Sequence, residues 1–448
     1  MQNTVKNVHE VTLAEILDAR EKRAELQKKL LAEYSATLIS FTMNIAGPVK
    51  NTPVIERAFR HGLYQLLFQI PKEKVLFESS RSEPCGCEAF VSVNLSADTV
   101  KEICIGIEES SPLGRLFDMD VIDTDGKKLE RKKERGCIVC GKAGRECAVG
   151  RLHSVEEIVA LTNKIITDYF VDFDARRIGK LASECLISEV ETTPKPGLVD
   201  LRNNGSHTDM SVDTFRKSAH ALTPYFTECV KIGIETKSVS YLEAFSRLRK
   251  AGQQAEAEMY KATNGVNTHK GVIYSMGVLL GAVGRQWTVE QPIAKRALIL
   301  SESSDLVRES IIADLAFANG STAGERLFLE YGLKGIRGEV ASGFSSVVNK
   351  SLPIYESALA NGLTQNDAGV CSLISLIAEI DDTNLYHRGG ADGAEYAKKY
   401  AKQLLSDKFN LKSVEEMDSE FIKRKLSPGG SADLLAITYF LHSIEKQK

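Results

Sequence analysis

Two residue rhythms divide this chain, and the change between them near residues 172–177 limits its possible folds more than any other feature. Before the change, β-branched and aromatic runs at 34–44, 88–95 and 102–108 are interspersed with helical spacing at 54–69 and 155–169. That mixture predicts an N-terminal α/β (α+β) domain. After the change, helical spacing covers 178–188, 213–232, 240–262, 294–317 and 432–442, and strand runs are scarce. A mostly α-helical second domain is predicted. With 448 residues, 43% of them apolar, the chain can bury two such cores. No Pro/Gly/Ser-rich linker separates the halves, so the boundary rests on the change of pattern alone.

The formal net charge is only −3, which provides no global basic field for nucleic acid or an anionic membrane. Any phosphate site must therefore be local, and small ligands are favoured. No window reads as an uninterrupted transmembrane helix, and residues 1–29 are polar and amphipathic, unlike a signal peptide. A cytoplasmic protein is expected. Its nine cysteines, odd in number and scattered, predict reduced thiols over a disulfide framework.

Four polar loops interrupt the helical half. The stretch Asn264-Gly-Val-Asn-Thr-His-Lys-Gly271 sets Asn267, Thr268, His269 and Lys270 between glycines and ahead of the apolar run 272–283. It reads as a phosphate-handling loop opening a buried helix, whose N-terminus favours anions. The segment 192–209 is stiffened by Pro194 and Pro196 and displays Lys195, Asp200, Arg202, Asn203, Asn204, His207 and Asp209. A third loop, 379–390, carries Asp381, Asp382, His387 and Arg388, and the fourth, 427–433, carries Gly429, Gly430 and Ser431. Each alone could be a polar interhelical turn. Together they supply carboxylates for magnesium, Lys and Arg for phosphate, and imidazoles for proton transfer.

In the first half, Asp118 and Asp120 stand two apart in an apolar run, which on a strand places both on one face. Paired carboxylates suit magnesium on a nucleotide-like phosphate, with Gly114 and Arg115 beside a leaving pyrophosphate. The competing reading is a solvated strand face. The turn 44–50 offers Asn44 and Lys50 as a phosphate clamp, or is simply a Gly-Pro turn. Cys137, Cys140, Cys147 and His153, among Gly136, Gly141, Lys142 and Gly144, have the composition of a structural Zn²⁺ knot, with free thiols as the alternative.

These motifs resemble two known families. Residues 174–445 are similar to the triphosphoribosyl-dephospho-coenzyme A synthases, through Thr193-Pro-Lys-Pro-Gly-Leu-Val-Asp200, Arg202-Asn-Asn-Gly-Ser-His207, Thr263-Asn-Gly-Val-Asn-Thr-His-Lys-Gly271, Asp381-Asp-Thr-Asn384, His387-Arg-Gly-Gly390 and Leu426-Ser-Pro-Gly-Gly-Ser-Ala-Asp433. Residues 9–172 resemble the apo-citrate lyase phosphoribosyl-dephospho-coenzyme A transferases, through Asn44-Ile-Ala-Gly-Pro-Val-Lys50, Gly114-Arg-Leu-Phe-Asp-Met-Asp-Val121 and the Cys137 to His153 cluster. One departure is Asn264, where a second glycine is common.

The resemblance implies a fused protein that makes and attaches the prosthetic group of citrate lyase. The helical domain would join ATP and 3′-dephospho-coenzyme A with loss of adenine. Asp381 and Asp382 would hold Mg²⁺, Lys195, Arg202, Lys270 and Arg388 would bind the triphosphate, and His269 or His207 would move the proton. Asn203, Asn267, Thr268, His387, Gly429, Gly430 and Ser431 would complete the phosphate and substrate contacts. The first domain, of nucleotidyltransferase-like kind, would pass the product to a serine of the citrate lyase acyl carrier protein (gamma subunit), with Asp118 and Asp120 on Mg²⁺ beside Lys50 and Arg115. Nucleic acid and membrane are not among the implied partners. Two other readings compete: a zinc-stabilised nucleic-acid or protein-docking module on a helical scaffold, and another ATP-dependent kinase or ADP-ribosyl-type hydrolase. The basic run behind the docking reading (Lys127, Lys128, Arg131, Lys132, Lys133 and Arg135) lacks interleaved aromatics and is diluted by Glu130 and Glu134. Adenine as product marks the synthase, whereas ADP marks a kinase.

Overall fold

The structure is a computed structural model and describes residues 9–132, 135–142, 144–316, 319–406 and 410–446, with backbone alone at 145, 148, 313–316 and 323. Residues 1–8 of the amphipathic start, Lys133 and Glu134 of the basic run, and Phe317 at the end of a predicted helix lie outside the described residues. The chain divides into two units, Met1–Phe170 and Val171–Lys448.

The first unit is built on a four-stranded antiparallel sheet of β1 (Thr37–Met43), β2 (Val75–Glu83), β3 (Gly86–Val93) and β4 (Phe117–Ile122), in the order β2-β3-β1-β4. Helices α1 (Leu13–Tyr34), α2 (Pro53–Gln69), α3 (Ala97–Glu109) and the short α4 (Gly144–Val149) accompany the sheet, and α5 (Val155–Glu191) runs through the boundary into the second unit. The period of two along each strand assigns the faces. Ile39, Phe41, Ala89, Val91, Met119 and Val121 are all buried on one side. There Phe41 stacks on Phe59 of α2 at 4.8 Å and meets Phe117 edge-on at 5.4 Å. The other face carries Leu38, Phe90 and Ile122, which pack against Leu30 of α1. Asp118 and Asp120 belong to this second face, opposite Thr42 and Ser40 of β1.

One expectation fails in this unit, and one strand was not foreseen. Residues 102–108, whose isoleucines alternate like a strand, lie within α3: Ser96 accepts the Thr99 N–H, and Val100, Cys104 and Ile107 are buried at helical spacing. The strand β2 escaped sequence reading because it is a polar edge strand with only alternate residues half-buried.

The second unit is helical throughout its described elements: the end of α5, then α6 (Val212–Glu235), α7 (Tyr241–Ala262), α8 (Lys270–Gln286), α9 (Arg296–Ala316), α10 (Ala323–Tyr331), α11 (Gly335–Ala341), α12 (Leu352–Ala360), α13 (Gln365–Glu379), α14 (Thr383–Ser406), α15 (Leu411–Arg424) and α16 (Gly429–Glu445). Helix α8 is its axis. Val272, Ile273, Met276, Leu279, Leu280 and Val283 are all buried, each worth roughly 1.5–3 kcal/mol of transfer free energy. Helix α6 crosses α8 closely at Gly233, where a Cβ would stand 2.1 Å from the Gly281 carbonyl oxygen, so only glycine permits the approach. No described helix is long and apolar enough to cross a membrane. All nine cysteines are free.

Candidate active site

All four polar loops of the helical unit open onto one cavity of about 1020 Å³. Its wall includes Lys195 and His207 from the first loop, Asn267 to Lys270 from the second, Asp381, Asp382, His387 and Arg388 from the third, and Gly429 and Gly430 from the fourth. Helices α8, α14 and α16 begin at Lys270, Thr383 and Gly429. Three helix N-termini therefore end on this wall, each presenting the positive end of its dipole, a natural seat for an anion.

Within residues 192–209, Asp200 is buried and accepts four bonds, from Thr193 Oγ1 (2.8 Å) and the backbone N–H groups of Lys195 (2.9 Å), Arg202 (2.8 Å) and Asn203 (3.0 Å). The carboxylate folds the loop. Lys195 is turned inward, almost without solvent contact, donating to the Glu189 carbonyl at 2.8 Å and to its carboxylate. Arg202 and Asn203 lie outside the cavity lining, Arg202 with Glu415 at 2.6 Å and Asn203 with Asp418 at 2.9 Å.

His269 forms the N-cap of α8 and is buried. Its Nδ1 lies 2.7 Å from Ser218 Oγ, which itself accepts a hydrogen bond from Thr268 Oγ1 at 2.8 Å. The Ser218 proton is free for Nδ1, an arrangement that favours the tautomer with Nε2–H. Among the described residues Nε2 has no partner. Burial, and secondly the Lys195 charge, pushes this imidazole down to about 3, so it is neutral at physiological pH. Beside it, Lys270 pairs with Glu256 at 2.5 Å, and Asn267 Oδ1 accepts the Lys270 N–H at 3.3 Å.

His207 is held from both sides. Arg388 donates from Nη2 to Nδ1 at 3.0 Å, and Nε2 lies 2.9 Å from Ser427 Oγ. Arginine can only donate, so Nδ1 accepts and Nε2–H donates to the serine. Burial first and the Arg388 charge second lower this imidazole. His387 is exposed on the same wall.

Asp382 ties two helix starts together. Oδ1 accepts from Asn384 N (2.9 Å) and Gly430 N (3.2 Å), and Oδ2 accepts from Ser431 N (2.7 Å) and Ser431 Oγ (2.9 Å). The direct magnesium contact expected of Asp382 would have to displace one of these donors. Ser431 is fully buried and acts on Asp382 from outside the lining. Asp381 is exposed and carries Lys398.

In the first unit, Asp118 is open to solvent on its outer side, and Asp120 pairs with Lys128 at 2.6 Å. Desolvation by the surrounding protein, then the Asp120 charge, holds the Asp118 carboxyl above its usual range. Lys50 donates to the Ile45 carbonyl at 2.6 Å and is lowered by partial burial, while Arg115 donates to the Gly136 carbonyl. The ligand atoms of Cys137, Cys140, Cys147 and His153 all lie within 4.8 Å of one another. The Val139 N–H points at Cys137 Sγ (3.4 Å), and His153 Nε2 is buried with no partner. Of the basic run, Arg131 and Arg135 pair with the buried Glu108 and Lys128 with Asp120.

Comparison with known proteins decides the family. Residues 175–448 match the family described as CitG, ATP:dephospho-CoA triphosphoribosyl transferase, and residues 11–169 match CitX, apo-citrate lyase phosphoribosyl-dephospho-CoA transferase. A Haemophilus influenzae protein named Protein CitXG is 36% identical over 459 residues, covering 97% of this chain and 96% of its own length. A Leuconostoc mesenteroides Protein CitXG is 34% identical, covering 96% and 97%. The chain belongs to the CitXG family. It is a transferase of citrate lyase prosthetic-group synthesis. A 2-(5''-triphosphoribosyl)-3'-dephosphocoenzyme-A synthase of Pectobacterium atrosepticum is 39% identical over 286 residues, 63% of this chain and 94% of its own.

In this CitXG-family chain, sequence reading missed Glu189, Ser218, Glu256 and Asp433. Asp433 was visible as the last residue of a quoted motif, and Ser218 as a hydroxyl on the buried stripe of α6 beside Ala219 and Leu222. Glu189 and Glu256 carry no local signal, because their partners Lys195 and Lys270 are met only when the helices fold.

Proposed function

We propose that the helical unit, residues 174–445, exchanges the adenine of ATP for the 2′-hydroxyl of 3′-dephospho-coenzyme A, giving 2′-(5''-triphosphoribosyl)-3′-dephospho-coenzyme A. The unit at residues 9–172 then transfers the phosphoribosyl-dephospho-coenzyme A group to a serine of the citrate lyase acyl carrier protein (gamma subunit) and releases pyrophosphate. One observation carries the first step: three helix N-termini and the neutral imidazole of His269 line a single cavity.

The triphosphate lies against the starts of α8, α14 and α16, within reach of Lys270 and Arg388. The C1′–N9 bond of ATP breaks, the C1′–O2′ bond to dephospho-coenzyme A forms, and the ribosyl carbon passes through an oxocarbenium-like state. His269 Nε2–H donates a hydrogen bond to departing adenine, and Asp381 faces the magnesium that accompanies ATP, with Asp382 and Ser431 holding the helix starts behind it. Bound magnesium neutralises phosphate charge. His207 keeps Arg388 oriented toward the cavity.

In the first unit, Asp118 and Asp120 would hold the magnesium of the second reaction, an in-line displacement at phosphorus driven by positioning and charge neutralisation, as in nucleotidyltransferases. The cysteines 137, 140 and 147 with His153 fit a structural zinc ion: three sulfurs and one imidazole in a compact group, an N–H aimed at a sulfur, and an otherwise orphaned ring nitrogen. Zinc retained by the purified chain and lost in Cys140→Ser tests that assignment. A cytoplasmic location accords with these substrates.

Arg388→Ala tests the division of labour. Adenine release should fall while carrier-protein modification by preformed triphosphoribosyl-dephospho-coenzyme A continues. Equal loss of both activities would contradict it.

A further inference from the structure

The exchange needs a base for the attacking 2′-hydroxyl, and neither cavity histidine is arranged for it. In the tautomer that the Ser218 contact favours, His269 accepts at Nδ1 and its Nε2–H has no lone pair to take a proton. His207 has both ring nitrogens engaged. The carboxylates on the cavity wall divide in the same way. Glu189 is bound by Lys195, Asp381 by Lys398, and Asp382 by four donors. Glu325 bonds Ser321, Glu339 bonds Ser346, and Asp209 is exposed.

Asp433 remains. It lies in the first turns of α16, on the cavity wall, and is half-buried. Among the described residues no group hydrogen-bonds its carboxylate. The carboxylate also abuts Gly271 in the first turn of α8, where an added Cβ would stand 1.9 Å from Asp433 Oδ2. Gly271 thus admits Asp433 to the space beside His269 and Lys270, where the loop 264–271 meets the loop 427–433. An unpaired carboxylate in such a place is a poor structural element, because burying it without partners costs stability. It is a good acceptor for a proton delivered by a ligand.

We propose that Asp433 is the catalytic base of the ribosyl exchange. The proposal rests on the reaction assigned above to this cavity. Asp433 takes the proton of the dephospho-coenzyme A 2′-hydroxyl as its oxygen bonds to C1′. The C1′–N9 electron pair leaves with adenine, which is protonated from water, and Asp433 returns its proton to water. No oxidant or further reactant is required. Burial first, then the Glu189 and Asp382 charges, raises the Asp433 carboxyl well above the usual range. Glu189 faces it from α5, already paired with Lys195, and Asp382 from the turn before α14. The consequence is a stronger base whose ionisation governs activity on the acid side.

The test is steady-state adenine release from ATP, magnesium and dephospho-coenzyme A across pH, using the full chain. Wild type should show an acid limb in kcat. In Asp433→Asn, kcat should fall by roughly 10²–10⁴-fold with the KM for ATP nearly unchanged and the acid limb gone. Asp433→Ala should regain part of its rate with added formate. Urea unfolding followed by the fluorescence of Trp287, which lies in the same unit as Asp433, reports that each variant is folded. A kcat for Asp433→Asn within about threefold of wild type overturns the proposal, as does an acid limb that survives the substitution or a wild-type profile with none. Absence of adenine release from wild type would instead overturn the reaction itself, and the role of Asp433 with it.

Discussion

Ser218 Oγ stands 2.7 Å from His269 Nδ1 and, as a donor there, favours the tautomer protonated at Nε2. Removing the hydroxyl leaves Nδ1 buried without a donor and frees the ring to take the other tautomer. Ser218→Ala should lower kcat for adenine release about tenfold or more with little change in the KM for ATP, the pattern of a lost transition-state interaction. A rise in KM alone would mean that the pair serves binding and not departure of the base.

Asp382 spends both oxygens on the starts of α14 and α16. Asp382→Asn turns an amide toward backbone donors, at a cost of about 1–3 kcal/mol for each buried group left unpaired. The variant should unfold at lower urea as well as lose adenine release. The chain has a single tryptophan, Trp287, buried in the helical unit with Nε1 2.8 Å from Asp174, and its fluorescence reads that unit alone. Unchanged unfolding with lost activity would favour direct magnesium ligation by Asp382.

His269 makes the helical unit acid-sensitive. Its folded value of about 3 lies below the ordinary 6.5. Between these values the unfolded chain binds a proton that the folded chain refuses, so stability present above about pH 6.5 is lost as pH falls toward 3. The slope from this group is at most about 1.4 kcal/mol per pH unit. Urea unfolding followed by Trp287 should show a shallower loss between about pH 7 and pH 5 in His269→Gln than in wild type. Parallel slopes would show that His269 titrates normally in the folded state.

Asp120, with Lys128 at 2.6 Å, lies in the other unit. Asp120→Ala should slow carrier-protein modification by about a hundredfold or more, as expected for loss of a group that stabilises reaction charge. Adenine release should be unaffected. Modification at the parental rate would remove Asp120 from the site.

What could be read along the chain was what depends on near neighbours. The apolar run 272–283 announced α8, and the strand period placed Asp118 and Asp120 on one face. The alternating isoleucines within 102–108 misled because α3 is set by its Ser96 cap and by Val100, Cys104 and Ile107, which only a period of 3.6 aligns. The polar loops of the cavity were visible as loops, but their division of labour was not. Asp382 meets Ser431 across 49 positions and His207 meets Arg388 across 181, and such pairings have no local trace. Asp200 looked like a ligand and is the residue that folds its own loop.

The most direct test is to incubate the chain with ATP, magnesium and dephospho-coenzyme A, without and then with the acyl carrier protein, and identify every product by mass spectrometry. Free adenine and triphosphoribosyl-dephospho-coenzyme A should form in the first incubation. In the second, pyrophosphate should appear with a carrier protein heavier by the phosphoribosyl-dephospho-coenzyme A group. ADP in place of adenine would contradict the account, because it would make the cavity a site of phosphoryl and not ribosyl transfer.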